Sequence, residues 1–327
     1  MKNLSLEIIE FLSKTKLVDY NISPLAGDAS NRKYYRLKQG DHSLILMDSS
    51  KTIKNMQSFL SVREYLLDNQ FSVPKVFHVD LNNGLMILED FGDNTLDKYL
   101  IQNPRELQQI YHSAVDLLTS LSMLENPPFP EFSKHFFLNE LSVFTTWYIP
   151  FISKSLKDQE LTQFNACWDQ ALKYLSKNDK KQIFVHKDLH CGNLFWLPDR
   201  PGVRNLGIID FQSAKIGSGV YDITSLLYDC RLPLPQDFRN NLLKKYSSGK
   251  GWDIQNFKNL CDIYIVQRNI KILGNFAHLY QQKENAFYLK FLPNAWNFLN
   301  NSLENPILED VKTWLTKNDI QSMEKFP

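Results

Sequence analysis

A short polar segment between two apolar runs constrains this chain more than any other feature. Residues 183–185 are apolar and predict a buried strand, and residues 186–193 then read His-Lys-Asp-Leu-His-Cys-Gly-Asn. A second apolar run, residues 207–209, ends at Asp210. A carboxylate such as Asp188 can orient a hydroxyl group, whereas Asn193 and Asp210 supply the hard oxygen ligands that Mg²⁺ prefers. The pattern therefore indicates a reactive carboxylate followed by a magnesium site.

The order and spacing of these residues resemble a known family. Asp188 and Asn193, followed by Asp210-Phe211-Gln212, are similar to the catalytic loop and metal motif of the protein-kinase-like phosphotransferases, especially the aminoglycoside-phosphotransferase branch. The resemblance implies ATP and Mg²⁺ as cofactors, Asp188 as the catalytic residue, and Asn193 and Asp210 as metal ligands. It also implies an α+β, bilobal protein-kinase-like fold, with a small antiparallel-sheet N-lobe carrying one main helix and a larger, mainly helical C-lobe.

Length and composition fit two lobes in a reducing compartment. At 327 residues the chain is long for a single core, and we expect a nucleotide-binding lobe and hinge at 1–92 and a helical lobe with the substrate site at 93–327. The net charge of +1 argues against a nucleic-acid partner. Scattered cysteines, the absence of a signal peptide and the absence of a long apolar run favour a cytoplasmic protein, without membrane or obligate protein partners.

The N-terminal third has the pattern of a small sheet. A loop of small residues lies between apolar segments, and the resemblance implies that it covers the nucleotide phosphates; its members are Gly27, Asp28, Ala29, Ser30 and Asn31. Residues 53–69 predict a helix with an apolar face. Residues 85–90 predict a strand that leads into the hinge, where we expect Glu89 to contact the adenine. Residues 90–92 spell Asp-Phe-Gly, which is the metal motif of protein kinases. They precede residues 186–193, called the catalytic segment below, whereas that motif follows the catalytic loop, so we interpret them as a hinge turn.

One expected residue is missing from this lobe. The third strand of the family carries a lysine for the nucleotide phosphates, but here the strand ends Leu46-Met47-Asp48. Lys33, Arg36 or Lys51 could take that role, and the sequence does not choose among them.

A late helix carries a charge where its pattern requires an apolar residue. Residues 264–280 have helical periodicity, and Arg268 falls on the apolar stripe. A charge on a buried face needs a partner or must open onto a pocket, so Arg268 is either structural or substrate-facing. We favour the second hypothesis, with Lys271 near it. His190 belongs to the same predicted substrate set, although a lone histidine is more typical of a structural role.

Several segments are similar to the bacterial N-acetylmuramate/N-acetylglucosamine kinases over nearly the whole chain. These segments are residues 25–34, 46–48, 208–212, 221–222 and 267–274. That family also has Leu-Met-Asp in place of the lysine, and it phosphorylates the anomeric hydroxyl of an amino sugar during cell-wall recycling. The resemblance implies a small-molecule amino-sugar substrate, and a structural bracing role for Asp222.

Three alternatives remain open, of which a protein kinase is the least favoured because no Ala-Pro-Glu segment follows Asp210-Phe211-Gln212. An aminoglycoside or other small-alcohol phosphotransferase would share the catalytic residues, but an acidic pocket for a polycation is not favoured by 13 Lys and Arg against 11 Asp and Glu after residue 215. A pseudokinase acting as a binding module would explain the missing lysine. The retention of Asp188, Asn193 and Asp210 together argues against it.

Overall fold

The computed structural model describes residues 4–25, 32–124, 127–179, 182–248 and 250–321. The chain divides into two compact units, of which the first comprises Met1–Pro104 and Gly192–Ser213 and the second comprises Arg105–Cys191 and Ala214–Pro327. The lobe boundary expected at residue 92 stays a prediction. In the part of the chain that the structure describes, every helix is too short or too polar to span a bilayer.

The strands follow the predicted order, with a hairpin-rich first unit and short strands around the catalytic segment. They are β1 (Asn21–Leu25), β2 (Lys33–Gln39), β3 (His42–Asp48), β4 (Val76–Asp80), β5 (Leu85–Glu89), β6 (Gln182–Val185), β7 (Leu194–Trp196), β8 (Leu206–Ile208) and β9 (Lys215–Ser218). The main sheet of the first unit has the order β1-β2-β3-β5-β4, and all its pairs are antiparallel. Two short antiparallel pairs, β6 with β9 and β7 with β8, complete the pattern.

The α-helices of the described residues lie in both units. They are α1 (Leu6–Thr15), α2 (Lys54–Asp68), α3 (Leu96–Gln102), α4 (Leu107–Leu121), α5 (Lys134–Val143), α6 (Ile149–Phe151), α7 (Asp158–Ala166), α8 (Asp169–Asn178), α9 (Tyr221–Leu227), α10 (Gln236–Ser247), α11 (Ile254–Lys283), α12 (Leu292–Ser302) and α13 (Glu309–Lys317). Three of them, α1 to α3, lie in the first unit and the later ones, from α4 onward, lie in the second. The apolar spacing of residues 4–13 also predicts a helix, and this helix and those predicted at 53–69 and 264–280 are confirmed as α1, α2 and α11. The antiparallel sheet and the mainly helical second part confirm the predicted fold class.

Alternation along the strands places the core of the first unit on one face of its sheet. Leu37, Leu46 and Ile87 come from neighbouring strands and are fully buried. Helix α1 covers this face with Ile8 and Leu12, which lie one helical turn apart. Burial of these side chains stabilises the unit by about 1.5–3 kcal/mol for each large apolar residue.

The long helix α11 is the central element of the second unit. It packs against α5, α9 and α12 and against a π-helical segment, Phe144–Tyr148, that continues α5. Gly274 lies where α11 meets this segment, and a Cβ there would come within 2.5–2.6 Å of backbone atoms of Val143 and Phe144. The absence of a side chain at Gly274 therefore permits the close contact that brings one face of α11 against α5.

Candidate active site

The catalytic segment leaves the end of β6 in the second unit. Antiparallel pairing with β9 and the burial of Ile183, Phe184 and Val185 hold the strand in place. His186 and Lys187 remain buried, and the Asp188 side chain is 32% exposed. The predicted strand and the predicted position of the reactive carboxylate are thus observed within one unit.

Two long-range partners hold the backbone of this segment. The buried carboxylate of Asp222, in the first turn of α9, accepts hydrogen bonds from the backbone N–H of His186 at 2.6 Å and of Lys187 at 3.0 Å. The Arg268 guanidinium donates to the carbonyl oxygen of Lys187 at 2.9 Å. The predicted bracing role of Asp222 is confirmed by these contacts.

The bracing explains an unusual backbone conformation. Lys187 has φ of +79°, a region that residues with a Cβ rarely adopt. Such strain persists only where the surrounding structure over-determines it. Both polar backbone groups of Lys187 are held, one by Asp222 and the other by Arg268. The turn that presents Asp188 is therefore built by tertiary contacts and not by local propensity.

Asp188 lies among positive charges. Its Oδ1 is 3.4 Å from Lys271 Nζ and 3.6 Å from an Arg268 guanidinium nitrogen. Burial alone would raise the pKa of Asp188, but the charges of Lys271, Arg268 and Lys187 outweigh it and hold the pKa well below its usual value. The carboxylate is therefore ionised at neutral pH, which is the form that can orient or accept the proton of a hydroxyl group.

Glu140 on α5 links the cations of this cluster. Its Oε1 is 2.8 Å from Lys271 Nζ and 3.0 Å from Lys187 Nζ. Gln267 donates to Oε2 at 3.2 Å, and the Tyr221 hydroxyl donates at 3.4 Å. Burial would raise the pKa of Glu140, yet the two lysines keep it lowered. Glu140 is thus an ionised, largely buried anchor for two ammonium groups beside Asp188.

A second buried carboxylate fixes the end of the catalytic segment. Asp229 accepts hydrogen bonds from the Cys191 backbone N–H at 3.1 Å and pairs with Arg231 at 3.1 Å. Burial and the Arg231 charge lower the pKa of His190 to about 3. His190 is therefore neutral at physiological pH. It can offer a hydrogen bond to a substrate but no charge.

The first unit holds the predicted metal ligands on a hairpin. Strands β7 and β8 pair with Leu194 opposite Ile208, and the Ile209 N–H donates to the Asn193 carbonyl oxygen at 3.1 Å. This pairing brings Asn193 and Asp210 to the same end of the hairpin. Asp210 has φ of +62°, and Gln212 donates to its Oδ1 at 2.7 Å.

Packing within the first unit fixes that hairpin end. The buried Phe211 ring stacks on Phe59 of α2 with centroids 4.9 Å apart. The Ile208 N–H donates to the Ser72 carbonyl oxygen at 2.8 Å, and the Ser72 hydroxyl donates to the Arg204 carbonyl oxygen at 2.6 Å. One amide and one carboxylate on a fixed hairpin end form a donor set that suits Mg²⁺, which is usually held by one or two protein oxygens together with substrate phosphates.

The cations considered for the missing lysine have different surroundings. The Arg36 guanidinium pairs with Asp90 at 2.6 Å and with Asp93 at 2.8 Å, so its charge is already balanced by two carboxylates. Lys33 and Lys51 are exposed. Arg32, by contrast, is 5% exposed. Burial raises the pKa of the Tyr34 hydroxyl, and the charges of Arg32 and Asp210 both act on that pKa, in opposite directions.

The remaining predicted nucleotide residues have mixed outcomes. Glu89 ends β5, and its carboxylate pairs with Arg200 at 2.6 Å and accepts the Lys75 N–H at 3.2 Å. Its contact with adenine stays a prediction. The predicted phosphate loop, residues 27–31, lies outside the described residues. The Asp90-Phe91-Gly92 segment forms a turn in which the Gly92 N–H donates to Asp90 Oδ1 at 2.8 Å, and its role as a hinge stays a prediction.

Sequence reasoning missed Glu140, Asp229, Arg231 and Arg32. One signal could have identified Glu140, because it lies three residues after the buried Phe137 and four before the buried Phe144, on the core-facing side of its helix. Arg268 was identified by the same kind of argument. Its polar contacts are with the catalytic segment, and its contact with a substrate stays a prediction.

Comparison with known proteins shows which family the chain matches and which proteins it is similar to. Residues 21–256 match the model of the phosphotransferase enzyme family. The chain is similar to an N-acetylmuramate/N-acetylglucosamine kinase of Caulobacter vibrioides, at 25% identity over 94% of this chain and 94% of the relative.

Solved structures share the fold at lower identity. A choline kinase from Streptococcus pneumoniae superposes with a TM-score of 0.66 at 15% identity, covering 90% of this chain and 99% of that chain. An aminoglycoside phosphotransferase in a ternary complex with streptomycin and ATP gives a TM-score of 0.61 at 16% identity, covering 90% of this chain and 96% of that one. The chain therefore has a protein-kinase-like fold and belongs to the phosphotransferase enzyme family.

Proposed function

We propose that this chain is an ATP-dependent kinase that phosphorylates the anomeric hydroxyl of N-acetylmuramate or N-acetylglucosamine. The observation that carries the phosphotransfer proposal is the Asp188 carboxylate, which is partly exposed, ionised and presented by a turn whose backbone is held on both sides. The choice of acceptor is supported by the similarity to amino-sugar kinases over nearly the full length of both chains.

Asp188 would act on the acceptor hydroxyl. Its carboxylate accepts the hydroxyl hydrogen bond, orients the oxygen for in-line attack on the γ-phosphoryl group and takes the proton as the new bond forms. Because Lys271 and Arg268 lower the pKa of Asp188, it is a weak base. A hemiacetal hydroxyl, which is more acidic than an ordinary alcohol, suits a base of this kind.

Asn193 and Asp210 would hold Mg²⁺. Both are oxygen donors, both lie at one end of the β7–β8 hairpin, and Phe211 packing keeps that end fixed. The metal supplies neutralisation of the negative charge on the nucleotide phosphates. The chain's own contribution is to fix these two oxygen donors before the nucleotide binds.

Arg32 would replace the missing strand lysine at the nucleotide phosphates. Arg32 is buried, and its charge acts on the same Tyr34 hydroxyl as the charge of Asp210 does, whereas Lys33 and Lys51 are exposed. A guanidinium binds phosphate oxygens with two parallel hydrogen bonds, so it can serve this role as well as an ammonium.

The residues predicted to contact the substrate differ in the exposure of their side chains. The Lys271 side chain is 12% exposed and would face the acceptor, whereas that of Arg268, at 5%, would act mainly by positioning the catalytic segment. His190, being neutral, would contribute at most a hydrogen bond. We place this activity in cell-wall recycling in the cytoplasm, with a small molecule as the partner.

The test is turnover followed by product analysis. We expect ADP release with N-acetylglucosamine or N-acetylmuramate and ATP, and a product that loses phosphate in mild acid, as glycosyl 1-phosphates do. An acid-stable product would exclude the anomeric position while leaving the kinase assignment intact. Turnover of kanamycin-like amines without turnover of amino sugars would instead favour the aminoglycoside alternative.

A further inference from the structure

The Lys271 ammonium has an unusual position for a paired cation. It bridges two carboxylates from different elements, with Glu140 Oε1 at 2.8 Å and Asp188 Oδ1 at 3.4 Å. The carboxylate at 2.8 Å is the largely buried one, and the carboxylate at 3.4 Å is the partly exposed catalytic one. Lys271 is therefore anchored from within the fold and reaches the base from the side of α11.

Three cations and two carboxylates form the ion pairs around Asp188, and the buried carboxylates of Asp222 and Asp229 lie behind them. Lys187, Arg268 and Lys271 face the two carboxylates of Glu140 and Asp188. The side chains of Lys187 and Arg268 are 7% and 5% exposed, while that of Lys271 is 12% exposed. Of the three cations, Lys271 is thus the most exposed, and its ammonium lies 3.4 Å from Asp188 Oδ1, the group proposed to receive the acceptor hydroxyl.

We infer that Lys271, held by Glu140, is a specificity-determining residue that makes this site reject cationic acceptors and accept neutral or anionic ones. The inference rests on the proposed function, since it takes Asp188 as the group that binds the acceptor. An acceptor that carries an ammonium group near its reacting hydroxyl meets like charge at short range. A neutral acetamido group in the same place meets none.

Glu140 has the opposite electrostatic effect at the same position. Its carboxylate partly neutralises Lys271, so its removal leaves the cluster more positive while Lys271 stays attracted to Asp188. Two substitutions on one ion pair should therefore shift acceptor selectivity in opposite directions. A loss of structure, in contrast, would lower activity toward all acceptors together.

The experiment compares N-acetylglucosamine with glucosamine, which differ by one acetyl group and one positive charge. The quantity measured is the ratio of kcat/KM for the two sugars, at one pH below and one pH above the pKa of the glucosamine amine. That pKa is about 7.7, as for an α-amino group. In Lys271→Met we expect the preference for N-acetylglucosamine to fall about tenfold at the lower pH, as removal of a like charge several ångströms away predicts. In Glu140→Gln we expect the preference to rise. At the higher pH both shifts should shrink.

Matched variants control for nonspecific effects. Lys271→Arg keeps the charge and should keep the wild-type ratio. Lys245→Met removes a lysine that pairs with Asp116 at 2.6 Å elsewhere in the same unit, and should also leave the ratio unchanged. Melting temperatures show whether each variant folds. If Lys271→Met turns over slowly, the ratio of the dissociation constants for the two sugars is measured in place of the ratio of kcat/KM.

The outcomes separate the two proposals. A folded Lys271→Met protein with the wild-type ratio would overturn the inference alone, and so would parallel shifts in Lys271→Met and Glu140→Gln. Wild-type protein that phosphorylated neither sugar would instead contradict the proposed function, and the inference would fall with it.

Discussion

The carboxylate of Asp222 accepts the backbone N–H of His186 at 2.6 Å and so joins α9 to a segment 36 residues earlier in the chain. Its other oxygen accepts the N–H of Lys187 at 3.0 Å. Both backbone donors of the strained turn before Asp188 are thus held by one buried side chain, while Arg268 holds the Lys187 carbonyl oxygen. Replacement of the Asp222 side chain should affect stability and catalysis together.

Asp222→Ala leaves two buried backbone donors without their acceptor. Each unsatisfied donor costs about 1–3 kcal/mol, so we expect the free energy of unfolding to fall by about 2–6 kcal/mol and kcat to fall with it. Urea denaturation and ADP release measure the two effects. Asp237→Ala, an exposed carboxylate in the first turn of α10, should cost less than about 1 kcal/mol. A comparable loss in both variants would contradict the bracing role.

Asp188→Asn should abolish sugar phosphorylation in a folded protein. The amide keeps the shape of the carboxylate but cannot accept the hydroxyl proton, and loss of a general base lowers rates by about 10²–10⁴-fold. Full ADP release from the purified variant would remove Asp188 from its catalytic role.

Asp210→Ala should also abolish activity, but through the nucleotide. Loss of a metal ligand should weaken the affinity for ATP with Mg²⁺ more than Asp188→Asn does, because only Asp210 is proposed to touch the metal. Titration of a fluorescent nucleotide in the presence and absence of Mg²⁺ measures the difference. Equal nucleotide affinity in the two variants would refute the metal assignment.

Arg32→Met should weaken nucleotide binding. If Arg32 provides the phosphate cation, we expect the KM for ATP to rise about tenfold or more, and Arg32→Lys to recover part of the loss. Lys33→Met is the matched control, because Lys33 is the adjacent but exposed cation. A larger effect in Lys33→Met than in Arg32→Met would transfer the role to Lys33.

His190 should make the protein sensitive to acid. Its pKa is lowered to about 3 in the folded state against about 6.5 in an unfolded chain, so its stabilising contribution is present above pH 6.5 and is lost as the pH falls toward 3. Across that window His190→Gln should lose stability less steeply than wild type, by up to about 1.4 kcal/mol per pH unit. Urea midpoints at successive pH values test this, and parallel curves would contradict it.

Part of the fold was readable from local patterns. The strand before Asp188, the helices at α1, α2 and α11 and the turn at residues 90–92 depend on periodicity and turn chemistry that span a few residues. The spacing of apolar residues also predicts a helix at about 133–149, and the chain is helical there. The change from α5 to the π-helical segment, however, lies where Gly274 of α11 approaches the backbone closely, a contact between positions far apart in the sequence.

Other parts depended on partners far away in the sequence. The sequence allowed Arg36 as a cation for the nucleotide phosphates. In the structure its charge is balanced by Asp90 and Asp93, which lie more than fifty residues later in the chain. Similarly, the position of Arg268 on an apolar stripe indicated that its charge needs a partner or a pocket. It did not indicate that the partner is the carbonyl oxygen of Lys187.

The sequence by itself indicated which groups we propose to carry the chemistry, because Asp188 and Asp210 each follow a short apolar run and Asn193 lies at a fixed spacing from Asp188. Only the tertiary structure decided the electrostatic state of that chemistry. Glu140 and Lys271 are 131 residues apart, and their charges act on Asp188 only once α5 and α11 pack together. Coulomb interactions depend on distance in space and on burial, and neither quantity is encoded in local sequence.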